Sequence, residues 1–470
     1  MTDELDRAAA TCLFPSFDGI IAPDWVRRWL ERGLGGVVLF AQNIESPDQV
    51  SSLTRSLRAE RRELLVATDE EGGDVTRLEA RTGSSYPGNW ALGVVDDLPL
   101  TEEVAASIGA ELAAVGINFD FAPVADVNSN PDNPVIGIRS FGSEPALVSR
   151  HVAAFVAGLQ RRGVAACAKH FPGHGDTSQD SHLELPLVGG DLDQGLAPFR
   201  AAIAAGVRSV MTAHVRVLPL DDEPATLSPR ILQELLREEL GFGGVAITDA
   251  LEMRAISASL GVEEAAVRAL GAGADALCLG AQVDEQLVES VHRVILGAVT
   301  SGRLALARLL EAAARVSELA AWAARPSPEP PRPELGTEVA RRALEAHGNV
   351  RISGPPLVIE LRPPSSIAAG EPRHSLADVV AASERIVLRE GEPIPPTDGR
   401  PVVIVVRDAH RHEWQREAVE RLVATVPRAV VVEVGLPRWH PQGARWIATQ
   451  GSGRANLEAA AAALTEARGV

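Results

Sequence analysis

Short apolar runs recur along the first part of the chain, each followed by a longer stretch of helical period. The runs are TCLFPSF (11–17), GVVLF (36–40), ELLVATD (63–69), INFDFAPV (117–124), VAACAKH (164–170), SVMTAH (209–214), GVAITD (244–249) and ADALCLG (274–280). Their length and near-continuous apolar character predict eight strands buried on both faces. The stretches between them carry helix punctuation. At 228–241, Ser228 suits a cap, Pro229 the first helical position and Gly241 a stop. Strands alternating with helices pair in parallel, and eight such units close a (β/α)₈ TIM-type barrel, whose reactive groups belong at the carboxyl ends of the strands.

The pattern changes at PSPEPPRP, residues 326–333, where five prolines predict an extended, stiff connector. Beyond it, LVIEL (357–361), RIVLR (385–389), PVVIVV (401–406) and AVVVEV (429–434) read as buried strands separated by helical runs such as HEWQREAVERLVATV. This predicts a smaller doubly wound α/β domain. The domain reading is therefore a barrel at 1–325, a linker at 326–336 and an α/β sandwich at 337–470.

Composition narrows the partners. With 470 residues and 46% hydrophobic content the chain has enough apolar surface for a large core, and no run of eighteen apolar residues predicts a membrane span. A formal charge of −18, spread without long blocks, disfavours nucleic acid and anionic lipid. Cys12, Cys167 and Cys278 lie far apart in apolar segments, which fits a reducing compartment. The N-terminal MTDELDRAAATCLF has neither a basic lead nor a long apolar stretch, so the expected location is the cytoplasm. No cofactor and no metal are expected.

The densest chemistry is KHFPGHGDTSQDSH, Lys169 to His182, with three imidazoles, two carboxylates and one ammonium around Pro172, Gly173 and Gly175. These breakers forbid regular structure, so the run reads as a reactive loop opening where a strand ends. Two readings of it stay open. In one, His170, His174, Asp176 and His182 are metal ligands, although Pro172 and Gly173 keep the first two from sharing a helix face. In the other, Asp180 orients His182 as an acid/base dyad.

Asp69, Lys169, His170, His214 and Asp249 each stand at or just after the end of an apolar run. Asp249 closes GVAIT, where its carboxylate is placed to trap an oxocarbenium-like centre, and His182 suits the proton donor on the opposite side. Asp69 can accept from sugar hydroxyls, whereas Arg77, Arg139, Lys169 and His170 can donate to them. Other polar residues have plainer readings. Asp126 and Asn128 bond a loop, His174 and Asp176 shape the catalytic loop, His214 is as readily a support as a contact, and Trp90 is a core residue. DAHRHEW, 408–414, reads as a strand-to-helix turn.

Four segments carry a family resemblance: TDEEGGDVTRL (68–78), FAPVADVNSNPDNPVIGIRSFGSEP (121–145), KHFPGHGDTSQDSHLELP (169–186) and ITDALEM (247–253). They resemble the β-N-acetylhexosaminidase branch of glycoside hydrolase family 3. The resemblance implies that Asp249 is the nucleophile, that His182 with Asp180 replaces the usual carboxylic acid, and that Asp69, Arg77, Arg139, Lys169 and His170 contact a non-reducing N-acetylglucosamine. It implies a retaining β-N-acetylglucosaminidase acting on small glycosides such as peptidoglycan fragments. The alternatives are a phosphorylase using the same residues, since a neutral imidazole repels an anionic acceptor less than a carboxylate does, a metal-dependent barrel hydrolase, and a non-catalytic sugar-binding protein. Two positions depart from the family pattern, Asp74 where EGGRV has arginine and Ala250 where SDDL has a second aspartate.

Overall fold

The structure is a computed structural model that describes residues 2–181, 184–218, 220–325, 327, 329–365, 367–371 and 373–465. Contacts divide the chain into two compact units. The first comprises Met1–Glu70, Thr101–Ile136 and Ser143–Arg332, and the second comprises Glu71–Leu100, Gly137–Gly142 and Pro333–Val470.

All eight expected barrel strands form in the first unit. They are β1 (Leu13–Pro15), β2 (Gly36–Val38), β3 (Leu65–Thr68), β4 (Phe119–Asp120), β5 (Ala165–Phe171), β6 (Ser209–Thr212), β7 (Val245–Thr248) and β8 (Leu277–Gly280). Strands β2 to β7 pair in sequence order as one parallel sheet, and β1 pairs in parallel with β8. An Ile247 to Ala276 bridge joins β7 to the approach of β8. At the β1 and β2 seam a Cβ on Gly36 would lie 2.2 Å from the Phe14 ring, so only glycine lets the two strands approach. The result is a TIM-type barrel, with helices such as Asp24–Arg32, Pro47–Glu60, Pro145–Arg161 and Leu192–Ala204 between strands.

Side chains from the strands fill the interior. Phe14, Val38, Leu65, Phe119, Cys167, Met211, Ile247 and Cys278 form one buried cluster with Val316, Leu319, Ala320 and Ala323 of the helix Leu306–Ala323. The Asn118 amide donates to the Ala323 carbonyl at 3.2 Å, fixing that helix to the start of β4. Asp275, just before β8, is fully buried and forms ion pairs with Arg237, Arg308 and Arg315. A buried carboxylate surrounded by guanidiniums at the amino end of a barrel strand is a stability element. The helical segment Arg230–Glu239 begins as expected, with Ser228 Oγ accepting from the Ile231 N–H at 3.2 Å. The backbone turns left-handed at Gly241, φ +68°.

In the second unit, strands β9 (Glu345–His347), β10 (Leu357–Leu361), β11 (Glu384–Leu388), β12 (Val402–Val406), β13 (Val430–Glu433) and β14 (Arg445–Ala448) form one sheet in the order β9-β14-β13-β12-β10-β11. It is parallel except for β9, which runs antiparallel to β14. The continuous apolar runs are explained by burial of both faces. Val358, Val403, Val405, Val430 and Val432 pack on one side, while Leu357, Ile359, Ile404, Val406 and Val431 pack on the other. Trp90 is buried against Ile138 and Leu436, so it is the core tryptophan expected.

Segment 71–100 belongs to this second unit and is anchored within it. Asp74 is ion-paired with Arg407 and accepts from the Ser452 N–H at 3.1 Å and its hydroxyl at 2.7 Å. The Arg407 charge and the Ser452 donors outweigh burial and hold the Asp74 carboxyl below its usual range. The departure at position 74 thus has a cationic partner far along the chain. The turn at 408–412 carries Asp408 at φ +49°. Glu433 accepts from the Asp408, Ala409 and Gly435 N–H groups at 2.9, 3.1 and 2.7 Å, which satisfies the turn from within.

Candidate active site

The carboxyl ends of the barrel strands gather the titratable residues that the sequence placed there, together with Asp120, which it did not. Asp69 follows β3, Asp120 ends β4, Lys169 and His170 lie in β5, His214 follows β6 and Asp249 follows β7. The β5 and β6 ladder loses register between Ala168 and Phe171, where Lys169 and His170 sit. Their stretch is instead fastened to the continuation of β4. Lys169 N–H donates to the Pro123 carbonyl at 3.1 Å, and Ala125 N–H donates to the Lys169 carbonyl at 2.6 Å.

Lys169 is only 1% exposed, and its ammonium lies 2.8 Å from Asp69 Oδ1. His170 donates through Nδ1 to Asp126 Oδ2 at 2.7 Å. Asp126, fully buried, also accepts from the His174 N–H at 2.7 Å and from the His170 N–H at 3.3 Å. One carboxylate therefore fixes the start of the reactive loop and the His170 ring through Nδ1.

Asp249 is half-buried, and its Oδ1 accepts from the Ala250 N–H at 2.8 Å. His214 supports this turn: Nε2 donates to the Ala250 carbonyl at 3.0 Å and Nδ1 meets the Thr226 hydroxyl at 2.8 Å. Its two ring nitrogens are engaged by protein groups, so it is a supporting residue here.

The loop after β5 is built on its own side chains. His174 is buried, and its ring lies 2.7 Å from Thr177 Oγ1 and 3.0 Å from Ser181 Oγ. Burial lowers its pKa to about 4 despite the opposing pull of Asp126 and Asp249. Asp176 Oδ2 accepts from the Gly189 N–H at 3.0 Å and from Gly190, tying the two ends of the loop together. Asp180 is half-buried, and its carbonyl accepts from the Glu184 N–H at 3.0 Å. His182 lies outside the described residues, and so does its pairing with Asp180. Among the described residues no three His, Cys, Asp or Glu side chains are grouped to hold a metal.

The two predicted arginines belong to the second unit. Arg139 makes a two-pronged ion pair with Glu71, through Nε at 2.9 Å and Nη2 at 2.7 Å. Arg77 donates to the Ala368 carbonyl at 3.1 Å. The Arg139 partner was not read from the sequence, although EEGG directly follows Asp69.

Asp120 was also missed, because a single carboxylate within an apolar strand carries no pattern. It is fully buried, with Oδ1 accepting from the Glu70 N–H at 2.9 Å and Oδ2 unpartnered among the described residues. Burial raises its pKa well above the usual carboxylate range, although the Glu70 N–H bond opposes this. The Glu70 and Asp69 charges raise it further, while Lys169 lowers it.

Comparison with known proteins places this geometry. Residues 19–319 match the model of the glycosyl hydrolase family 3 N terminal domain. A beta-hexosaminidase of Methylobacillus flagellatus is 39% identical over 270 residues, which cover 55% of this chain and 77% of that protein. Beta-hexosaminidase A of Pseudoalteromonas piscicida is 36% identical over 344 residues, and the chain spans only 56% of its length. A family 3 beta-N-acetylglucosaminidase from Paenibacillus sp. str. FPU-7 is similar in structure, with a TM-score of 0.86 and 33% identity. That similarity covers 98% of this chain and 96% of the Paenibacillus chain.

Proposed function

The chain belongs to glycosyl hydrolase family 3, and on that premise we propose that it removes terminal non-reducing N-acetylglucosamine from small glycosides with retention of configuration. In this reading Asp249 attacks the anomeric carbon, the bond to the leaving oxygen breaks, and a glycosyl-aspartate ester forms. His182, oriented by Asp180, gives its proton to the leaving oxygen. It then takes a proton from the water that cleaves the ester. Asp69, Lys169 and His170 hold the sugar hydroxyls from the first unit. The substrates proposed are peptidoglycan-derived fragments.

One observation supports the reading most. Asp249 stands at the carboxyl end of β7, and the loop that carries Asp180 leaves the carboxyl end of β5 in the same parallel sheet. The relatives' names support the sugar. An assay on aryl β-glycosides with and without the N-acetyl group tests both. The parent should release N-acetylglucosamine, and Asp249→Ala should lose at least about 10³-fold in kcat while still folding. Turnover of the unacetylated glycoside alone, or an Asp249→Ala variant with ordinary kcat, contradicts the proposal. Varying phosphate separates the acceptors, because sugar 1-phosphate rising as free sugar falls identifies a phosphorylase.

A further inference from the structure

His174 has four bonds that shape the loop and a fifth that reaches the segment assigned to proton transfer. Its backbone N–H is held by Asp126, and its carbonyl accepts from the Thr177 hydroxyl at 3.0 Å and the Asn133 amide at 2.8 Å. The hydrogen count then fixes the ring. The Thr177 hydroxyl proton is committed to the His174 carbonyl, so His174 Nδ1 is the donor in its 2.7 Å contact with Thr177 Oγ1. A neutral ring protonated at Nδ1 has its lone pair on Nε2, which accepts from the Ser181 hydroxyl at 3.0 Å.

Ser181 lies between Asp180 and residue 182 in sequence. It is 2% exposed, whereas Ser178 is exposed and Gln179 and Asp180 are half-buried. A small recess of about 40 Å³, partly open to solvent, is lined by Pro172, Gly175, Asp176, Val188, Gly190 and Leu192. Within the described part of the loop, the Ser181 to His174 bond is the side-chain bond that ties the residue next to Asp180 back to the loop's start.

We propose that His174 is a positioning residue that, by accepting the Ser181 hydroxyl, tethers the proton-transfer segment and sets how well the loop serves the leaving group. This rests on the reading of Asp180 and His182 given above. Loss of the tether lets the segment sample other placements, which penalises only substrates that need a proton for departure.

Ser181→Ala cuts the tether without opening a large cavity, and His174→Asn keeps a donor to Thr177 while removing the reach to Ser181. Both are compared with the parent on a phenyl and on a 2,4-dinitrophenyl N-acetyl-β-glucosaminide, with thermal melting as a control for folding. The expected result for each is a loss of about tenfold to a hundredfold in kcat/KM on the phenyl glycoside, with less than about threefold on the dinitrophenyl one. Ser181→Thr, which restores the hydroxyl, should recover most of the lost rate. Equal loss on both substrates, or no loss on either, overturns the proposal. His182→Ala is measured alongside. If it shows the leaving-group dependence and Ser181→Ala does not, the tether alone fails; if His182→Ala shows none, the acid/base reading fails and takes the tether with it.

Discussion

The ammonium of Lys169 and the carboxylate of Asp69 lie 2.8 Å apart, bridging the ends of β5 and β3 past the intervening β4. Lys169 is 1% exposed, so its ammonium is held out of water beside that carboxylate. Removing one member of a buried pair costs about 3–5 kcal/mol because the other is left uncompensated. Asp69→Ala should therefore lose stability of that order in urea unfolding. Adding Lys169→Met to it should recover part of the loss, and strict additivity of the two changes contradicts the coupling.

The Asp74 and Arg407 pair gives a second test, in the other unit. Asp74→Arg, the residue the family pattern has at this position, should destabilise by about 3–5 kcal/mol because it faces Arg407 with a like charge. Combining it with Arg407→Asp should restore part of this. Recovery should be incomplete, since the Ser452 N–H and hydroxyl now donate toward a cation. A double variant no better than the sum of the singles contradicts the pairing.

Asp120 predicts an alkaline cost. A carboxyl whose folded pKa is raised favours folding below its unfolded value, about 3.9, and loses that advantage as pH climbs through the folded value. Its position fits this, buried and flanked by the charges of Glu70 and Asp69. Asp120→Asn keeps an acceptor for the Glu70 N–H and carries no charge. It should match the parent in acid and exceed it progressively, by about 1.4 kcal/mol per pH unit across that window. Parallel stability curves for the two proteins contradict a proton on Asp120.

His174 predicts the opposite limb. Its pKa is lowered to about 4, so below the ordinary histidine value the unfolded chain takes up a proton that the folded one refuses. Stability should fall as pH drops from about 6.5 toward 4, by up to roughly 3 kcal/mol. His174→Asn should flatten that decline, and an unchanged slope in calorimetry between these pH values contradicts a neutral, buried ring.

How much of this was legible in the sequence follows from the range of the forces involved. The strand from Ala165 to Phe171 and its seven partners were readable, because burial on both faces writes itself as a continuous apolar run. The strand-end positions of Asp69, Lys169, His170 and Asp249 were readable because each ends such a run. The role of Asp126 was read as loop bonding, and it bonds the loop. Arg139 pairs with Glu71 and Asp74 with Arg407 across long stretches of chain, and no local period encodes such partners. For the same reason the membership of 71–100 in the second unit was invisible. The His174 to Ser181 bond depends on a loop path that no periodicity fixes.

The central claim, that Asp249 is the nucleophile, is tested most directly by trapping the intermediate. The protein is incubated with a fluorinated N-acetylglucosaminide whose glycosyl-enzyme forms faster than it breaks down, then digested and sequenced by mass spectrometry. The account predicts one added glycosyl group, esterified to the peptide that contains Asp249. An ester on another carboxylate, such as Asp69 or Asp120, or an unlabelled protein that releases product with inverted configuration, contradicts it.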